Sequence, residues 1–310
     1  MKIRTKILIA AVCLLAILIV WIVWGNQALM VNTYRITSSN LPKAFDGFRI
    51  AQLSDLHNCQ MGKNNEKLIS VLRAEAPDII VITGDMIDSR NAEVDIALRL
   101  AQELVVIAPC YYVPGNHEAR VSEYDSLKAG LIELGVTVLE NAKVTIESSG
   151  EKMTLAGVVD PSFKTDYLKG DDTAVMGGIL TELLDEEDGY TILLSHRPEL
   201  FEVYAKHTVD LIFSGHAHGG QFRIPFVGGL IAPNQGLFPK YDAGIYEQEN
   251  TTMVVSRGIG NSVIPSASTT ARKSFWWSLL PKRIDFHGRY LKRTPPNRAV
   301  SFLPEWGVLH

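Results

Sequence analysis

The chain has 310 residues, a formal net charge of −4, 46% hydrophobic and 21% charged residues. These values are ordinary for a globular protein, and no nucleic-acid partner is expected from them. Three cysteines are too few for a disulfide framework: Cys13 sits in an apolar N-terminal run, while Cys59 and Cys110 could approach one another or stay as small buried residues.

Lys2, Arg4 and Lys6 precede eighteen uncharged, mostly apolar residues, 7–24, with Trp21 and Trp24 near the far end. That length is at the lower end of what spans a bilayer, and the basic flank should stay cytoplasmic. Residues 1–30 are therefore expected to form a cytoplasmic stub and a single-pass signal anchor, with the rest of the chain extracytoplasmic. The rival is a cleaved signal peptide. The run is longer than a usual signal core, however, and no small-x-small site follows Trp24. The absence of a twin-arginine pair argues for export before any metal binds.

Residues 31–266 are long enough for one α/β domain with a substantial core. Strand-like apolar runs at 50–54, 79–83 and 111–114 alternate with helical spacing over 64–75, 92–106 and 122–134. Such a run predicts right-handed crossovers and a parallel sheet. Strands are then expected at 144–146 and 153–158 without an intervening helix, a helix over 176–184, and strands at 191–194 and 210–213. No internal repeat or low-complexity segment is visible.

Five polar blocks adjoin these apolar runs: Asp55-Leu56-His57, Gly84-Asp85-Met86-Ile87-Asp88, Gly115-Asn116-His117-Glu118, Ser195-His196-Arg197 and Gly215-His216-Ala217-His218. Loops at the carboxyl ends of strands gather on one edge of an open α/β sheet, so residues far apart in the chain can converge there. Five of the eight histidines lie in these blocks. Two divalent cations about 3.5–4 Å apart need a bridging anionic oxygen, and phosphate esters are common substrates of such sites. Imidazole with carboxylate suits Mn, Fe or Zn rather than a soft thiolate site. Any one block is weak; the ordered set carries the argument.

The blocks resemble, in the same order and over roughly residues 45–265, those of the calcineurin-like metallophosphoesterase family. The stretches Ser54-Asp55-Leu56-His57-Asn58, Gly215-His216-Ala217-His218-Gly219-Gly220-Gln221 and Ser256-Arg257-Gly258-Ile259-Gly260-Asn261 resemble its membrane-anchored bacterial branch. The resemblance implies two facing mixed sheets sandwiched between helices. It implies that Asp55, His57 and His218 hold a first metal, that Asn116, His196 and His216 hold a second, and that Asp85 bridges both. His117 would stand beside the substrate, protonating the leaving oxygen or stabilising charge on the phosphoryl group. Glu118 would orient His117, and Asp88 would brace its loop. The implied activity is hydrolysis of phosphate esters, phosphodiesters favoured, with two divalent ions of Mn, Fe or Zn. Anchoring through residues 7–24 points to phospholipid head groups or cell-wall polymers as substrates. The alternatives are a non-catalytic metal-binding interaction module on the same fold, or an inactive product of a shifted reading frame.

Taken singly, each residue has an ordinary explanation. Asp85 could cap a helix after the Gly84 turn, His196 could be a satisfied core histidine, and Asn116 could be a turn residue after Pro114-Gly115. All must hold together for the metal reading to fail. His207 lies outside every block and reads as a surface residue. Residues 219–246, rich in Gly, Pro and aromatics, read either as one wall of a substrate cleft or as a hairpin with a wide loop.

Residues 267–310 hold eight Lys or Arg and two acids, a net of +6, so the rest carries −10. Family members continue after a Gly-Asn-x-x-x-Pro stretch with something like Arg-Phe-Asn-Asn-Arg-Pro-Glu-Ile-Val-Leu-Val, a closing strand. That strand is missing from this sequence. Codons for residues 267–279 can, one base out of phase, encode Phe-Asn-Asn-Arg-Pro-Glu-Ile-Val-Leu-Val-Val-Thr. The Trp276 and Trp277 codons leave no freedom and force Val-Val. A shift of reading frame near Ser266 is therefore expected, leaving an unselected basic tail that supplies no strand. The other reading is a divergent tail that binds anionic lipid or wall polymer.

Overall fold

The structure, a computed structural model, describes residues 3–27, 29–164, 171–184, 189–224, 228–260 and 272–281. Helix α1 (Ile3–Gln27) leads to strands β1 (Leu29–Ser38) and β2 (Arg49–Leu53). Then follow α2 (Glu66–Glu75), β3 (Ile79–Thr83), α3 (Val94–Leu104), β4 (Cys110–Val113), α4 (Tyr124–Glu133) and β5 (Thr137–Val138). The hairpin of β6 (Ala142–Ser148) and β7 (Glu151–Gly157) precedes α5 (Asp172–Leu183), β8 (Thr191–Leu194), α6 (Phe201–Tyr204) and β9 (Leu211–Ser214). Three short strands, β10 (Phe222–Ile224), β11 (Gly228–Ala232) and β12 (Gly236–Leu237), come before the hairpin of β13 (Gly244–Gln248) and β14 (Thr251–Val255), and then β15 (Arg272–Pro281).

Two six-stranded mixed sheets face one another, ordered β1-β15-β2-β3-β4-β5 and β13-β14-β9-β8-β7-β6. Strand β3 shows why both of its faces are covered. Its alternate residues Ile79 and Val81 belong to the core between the sheets, with Ile50, Val113, Leu155, Ile192, Phe213 and Val254. Ile80 and Ile82 belong to the outer core with Leu68, Leu72, Leu100 and Leu131 from α2, α3 and α4. A third cluster packs α5 and α6, through Met176, Leu180, Phe201 and Tyr204, on the outer face of the second sheet. The helices form because their apolar residues recur on one side: α3 buries Ile96, Ala97, Leu100, Ala101 and Leu104. The side chain of Asp171 caps α5 by accepting from the N–H groups of Thr173 and Ala174. The sandwich of two mixed sheets between helices is the architecture implied by the resemblance. The parallel pairs β2-β3, β3-β4 and β8-β9 bring their carboxyl ends to shared edges.

Two expectations are corrected. Residues 7–24 fall within α1, but among the described residues no helix is long and apolar enough to cross a membrane, so the expected membrane-spanning segment is not supported. The second correction concerns the tail, which does supply a strand. β15 lies between β1 and β2, parallel to the first, with Leu29 opposite Arg272, and antiparallel to the second, with Phe275 opposite Gln52. Backbone pairing needs no apolar periodicity, and the facing edges of β1 and β2 would otherwise be left open. The run Phe275-Trp276-Trp277 also favours extended chain. Asn261, the expected frame shift near Ser266 and the rest of the tail lie outside the described residues. Cys13, Cys59 and Cys110 form no disulfide.

Candidate metal centre

The five blocks leave the carboxyl ends of β2, β3, β4, β8 and β9. Bringing them together demands unusual backbone. Asp55, His57, Asp85, His216 and His218 all take left-handed φ values between 46° and 65°, a region that non-glycine residues uncommonly enter. Two glycines let the loops touch. A Cβ on Gly115 would stand 2.3 Å from Oδ1 of Asp85, and one on Gly215 would stand 2.0 Å from Oγ of Ser54.

Among the described residues the side chains meet in three groups able to hold a metal ion: Asp55 with His57 and His218, Asp85 with His196 and His216, and His57 with Asp88 and His117. In the first, Nε2 of His57 lies 3.1 Å from Nε2 of His218, and that atom lies 3.3 Å from Oδ1 of Asp55. In the second, Nε2 of His196 lies 3.2 Å from Oδ2 of Asp85, 3.2 Å from Nδ1 of His216 and 3.2 Å from Oδ1 of Asn116. The same Asp85 oxygen is 3.6 Å from Nε2 of His57, so it stands between the first two groups.

The outward nitrogens decide what the inward ones can do. Nδ1 of His196 lies 2.7 Å from the Thr83 carbonyl, and Nε2 of His216 lies 3.2 Å from Oδ1 of Asn234. Both partners are acceptors, so in the neutral rings the outward nitrogens carry the protons. The inward nitrogens then present lone pairs to each other, to Asp85 and to Asn116. A cluster of acceptors with no proton among them is what a cation satisfies, and outer acceptors of this kind orient metal-binding imidazoles. Without a cation the charge of Asp85 must be met by a proton. Burial opposes this, yet Asp85 raises His196 to about 10. Burial holds His57 and His216 well below the usual histidine range, so both rings stay neutral. The donor set therefore fits two divalent cations of the Mn, Fe or Zn kind.

His117 is in the third group, with His57 and Asp88. Its Nδ1 accepts the backbone N–H of Ser89 at 2.9 Å, which leaves the proton of the neutral ring on Nε2, 4.0 Å from Oδ2 of Asp85. Asp88 braces its own loop as expected. Its Oδ1 accepts from the backbone N–H and Nε of Arg90, its Oδ2 accepts from Nη2, and these bonds hold its carboxyl at about 2. Glu118 departs from expectation. It does not orient His117; it accepts the backbone N–H groups of Gly115 and Asp85 at 2.8 Å and of Ile87 at 3.2 Å. It is a positioning residue that ties the second block to the third. Its main chain turns back over Gly115, so its carboxylate meets those amides first.

A cleft of about 210 Å³ opens on these residues. Its lining includes Asp85, His117, His216 and His218, the exposed Arg120, and Gln221, Ile231, Ala232 and Pro233. Residues 219–246 contain a small antiparallel sheet, β10-β11-β12, in place of a simple hairpin, and Gln221, Ile231, Ala232 and Pro233 border this cleft. His207 is half-buried, bonded to Val203 and Thr181, and belongs to none of the three groups. Sequence reasoning missed Asn234, although it follows the end of β11 by two residues, as Asp55 follows β2. It also left Arg197 and Asp160 without a role, although Asp160 follows an apolar strand end just as the ligand blocks do.

The calcineurin-like phosphoesterase family model matches residues 48–220. An uncharacterized metallophosphoesterase of Bacillus subtilis, YkuE, is 31% identical over 244 residues, covering 76% of this chain and 81% of its own length. An uncharacterized metallophosphoesterase of Aquifex aeolicus is 32% identical over 242 residues, covering 76% of this chain and 86% of its own. A Bos taurus transmembrane protein with metallophosphoesterase domain is 30% identical over 249 residues, which cover 76% of this chain and 53% of its own length. The chain belongs to the calcineurin-like phosphoesterase family. It is a phosphoric ester hydrolase, and its clustered His and Asp side chains are of the kind that binds divalent metal ions.

Proposed function

We propose that this hydrolase cleaves phosphodiesters at a two-metal centre on the outer face of the cytoplasmic membrane. The observation that carries the metal reading is the convergence of Asp55, His57 and His218 on one side of Asp85 and of His196 and His216 on the other. Asp55, His57 and His218 would hold one ion, Asn116, His196 and His216 the other, and Asp85 both. Bound divalent ions would supply Lewis-acid charge for the attacking and leaving oxygens of an in-line displacement.

The chain's own groups do the rest. The N–H on Nε2 of His117 donates to an ester or phosphoryl oxygen in the cleft, and Arg120 adds positive charge at its side. Ile231, Ala232 and Pro233 offer apolar surface, which suits a second ester group better than a second ionised oxygen. That contrast favours diesters over monoesters. A membrane location is supported by the exposed Ile7, Leu8, Val12, Leu14 and Ile17 on α1 and by the likeness to a bovine transmembrane protein. Phospholipid head groups and cell-wall polymers are the substrates such a location would offer.

The test is a panel of mono- and diesters offered to protein stripped with a chelator and reloaded separately with Mn, Fe or Zn. Activity should vanish on stripping and return with at least one ion, at two ions per chain, with diesters ahead by about tenfold in kcat/KM, a difference of about 1.4 kcal/mol. Faster turnover of monoesters would overturn the diester assignment. Full activity in the stripped protein would overturn the metal centre.

A further inference from the structure

Behind the second ligand group lies a charged cluster that the chemistry above does not use. Arg197 follows His196 directly and is the largest fully buried side chain among the described residues, at 1% exposure. Its Nε donates to Oδ2 of Asp160 at 2.5 Å and its Nη2 to Oδ1 of the same carboxylate at 2.9 Å. Nη2 also donates to Oγ of Ser162 at 3.0 Å, and Nη1 to Oε1 of Glu199 at 3.1 Å. Asp160 lies just beyond β7, and Arg197 just beyond β8, its neighbour in the sheet. On the other side of His196, Oγ of Ser195 lies 2.7 Å from the Tyr204 hydroxyl, which donates to the Arg197 carbonyl at 2.7 Å. The residues on both flanks of His196 are therefore pinned.

We propose that Arg197 and Asp160 are positioning residues for the reaction: their two-pronged ion pair locks the β8 loop to the β7 loop and so aims His196 at Asp85 and His216. A fixed fork is the geometry that arginine supplies and lysine does not. An ordinary buried ion pair is worth little to stability compared with apolar side chains of similar volume. A pair kept for folding alone is therefore replaceable by such side chains, and one kept to aim a ligand is not. The inference rests on the metal-binding reading above.

Three variants of the full chain separate these roles: Arg197→Met, Arg197→Lys, and the double variant Asp160→Leu with Arg197→Met. Melting temperature of the metal-free protein reports folding. Binding of Mn, followed by titration calorimetry, reports the aim of His196. Arg197→Met should melt lower and bind the weaker-held Mn about 10–100-fold less tightly, the usual cost of losing a group that orients a ligand. Arg197→Lys should fold and show a smaller loss of the same kind. The double variant should recover the melting temperature of the natural protein but not its Mn affinity. Recovery of both, or unchanged Mn affinity in a folded Arg197→Met protein, would overturn the proposal. So would failure of all three variants to fold, which would assign the pair to folding alone. Failure of the unaltered protein to bind Mn, Fe or Zn would instead overturn the metal-binding reading.

Discussion

The backbone N–H of Ser89 points at Nδ1 of His117 from 2.9 Å. An imidazolium would place a second proton on that nitrogen, against the N–H. Burial likewise lowers the ring's proton affinity, despite Asp85 and Asp88 nearby. The neutral ring therefore offers a hydrogen bond from Nε2 and does not hold a proton to hand over. Of the two roles implied for His117, charge stabilisation on the phosphoryl group fits this geometry better than protonation of the leaving oxygen. His117→Ala should keep both metals and lose about 10²–10³-fold in kcat, the scale of one oxyanion donor. The loss should be the same for nitrophenyl and alkyl esters. A loss confined to the poorer leaving group would restore the acid role. Glu118 shows the same dependence on partners: three backbone amides hold its carboxylate, while burial and the neighbouring Asp85 charge raise its carboxyl to about 7.

Strand β15 holds a central place that its residues do not suit. Central strands covered on both faces read as runs of Val, Ile and Leu, whereas Arg272-Lys273-Ser274-Phe275-Trp276-Trp277-Ser278 begins with two charges. The out-of-phase peptide Glu-Ile-Val-Leu-Val-Val-Thr falls on these same codons, starting at Arg272. We propose that the reading frame slipped near Ser266 and that β15 stands where that peptide would pair. Replacing the chain from Ala267 onward with Phe-Asn-Asn-Arg-Pro-Glu-Ile-Val-Leu-Val-Val-Thr should raise soluble yield. It should also raise the melting temperature by about 4 °C or more, the shift that roughly 1–2 kcal/mol produces in a domain of this size. No rise, or gene codons unable to encode the peptide, would refute the slip. β1 has β15 as its sheet neighbour, so removal of 267–310 should loosen the join between α1 and the domain.

At the scale of the whole molecule, α1 bears on location. The apolar side chains of α1 stand exposed, and no helix among the described residues is long and apolar enough to cross a membrane. If α1 nonetheless attaches the domain to a membrane, cell fractionation should place the full chain with membranes, released by detergent but not by salt. A version lacking residues 1–28 should be recovered in the soluble fraction with its ester hydrolysis intact. Recovery of the full chain in the soluble fraction would rule the attachment out.

Residues that act through local order were legible in the chain. An apolar run of four or five residues followed by Asp, His or Gly-Asn marks a strand end and its loop, and parallel strands of one sheet must send such loops to one edge. The five blocks, the alternation of elements and the family could therefore be read without coordinates. Tertiary structure decided what depends on partners distant in sequence. Thr83 and Asn234 determine which nitrogens of His196 and His216 face inward, Ser89 determines which nitrogen of His117 carries its proton, and Gly115, Asp85 and Ile87 claim Glu118. The pairing of Arg197 with Asp160 requires β8 to lie beside β7, and the pairing of β15 requires a gap between β1 and β2. Hydrogen bonds are short and directional, so which donor meets which acceptor is settled only when separate loops are brought to within about 3 Å of one another.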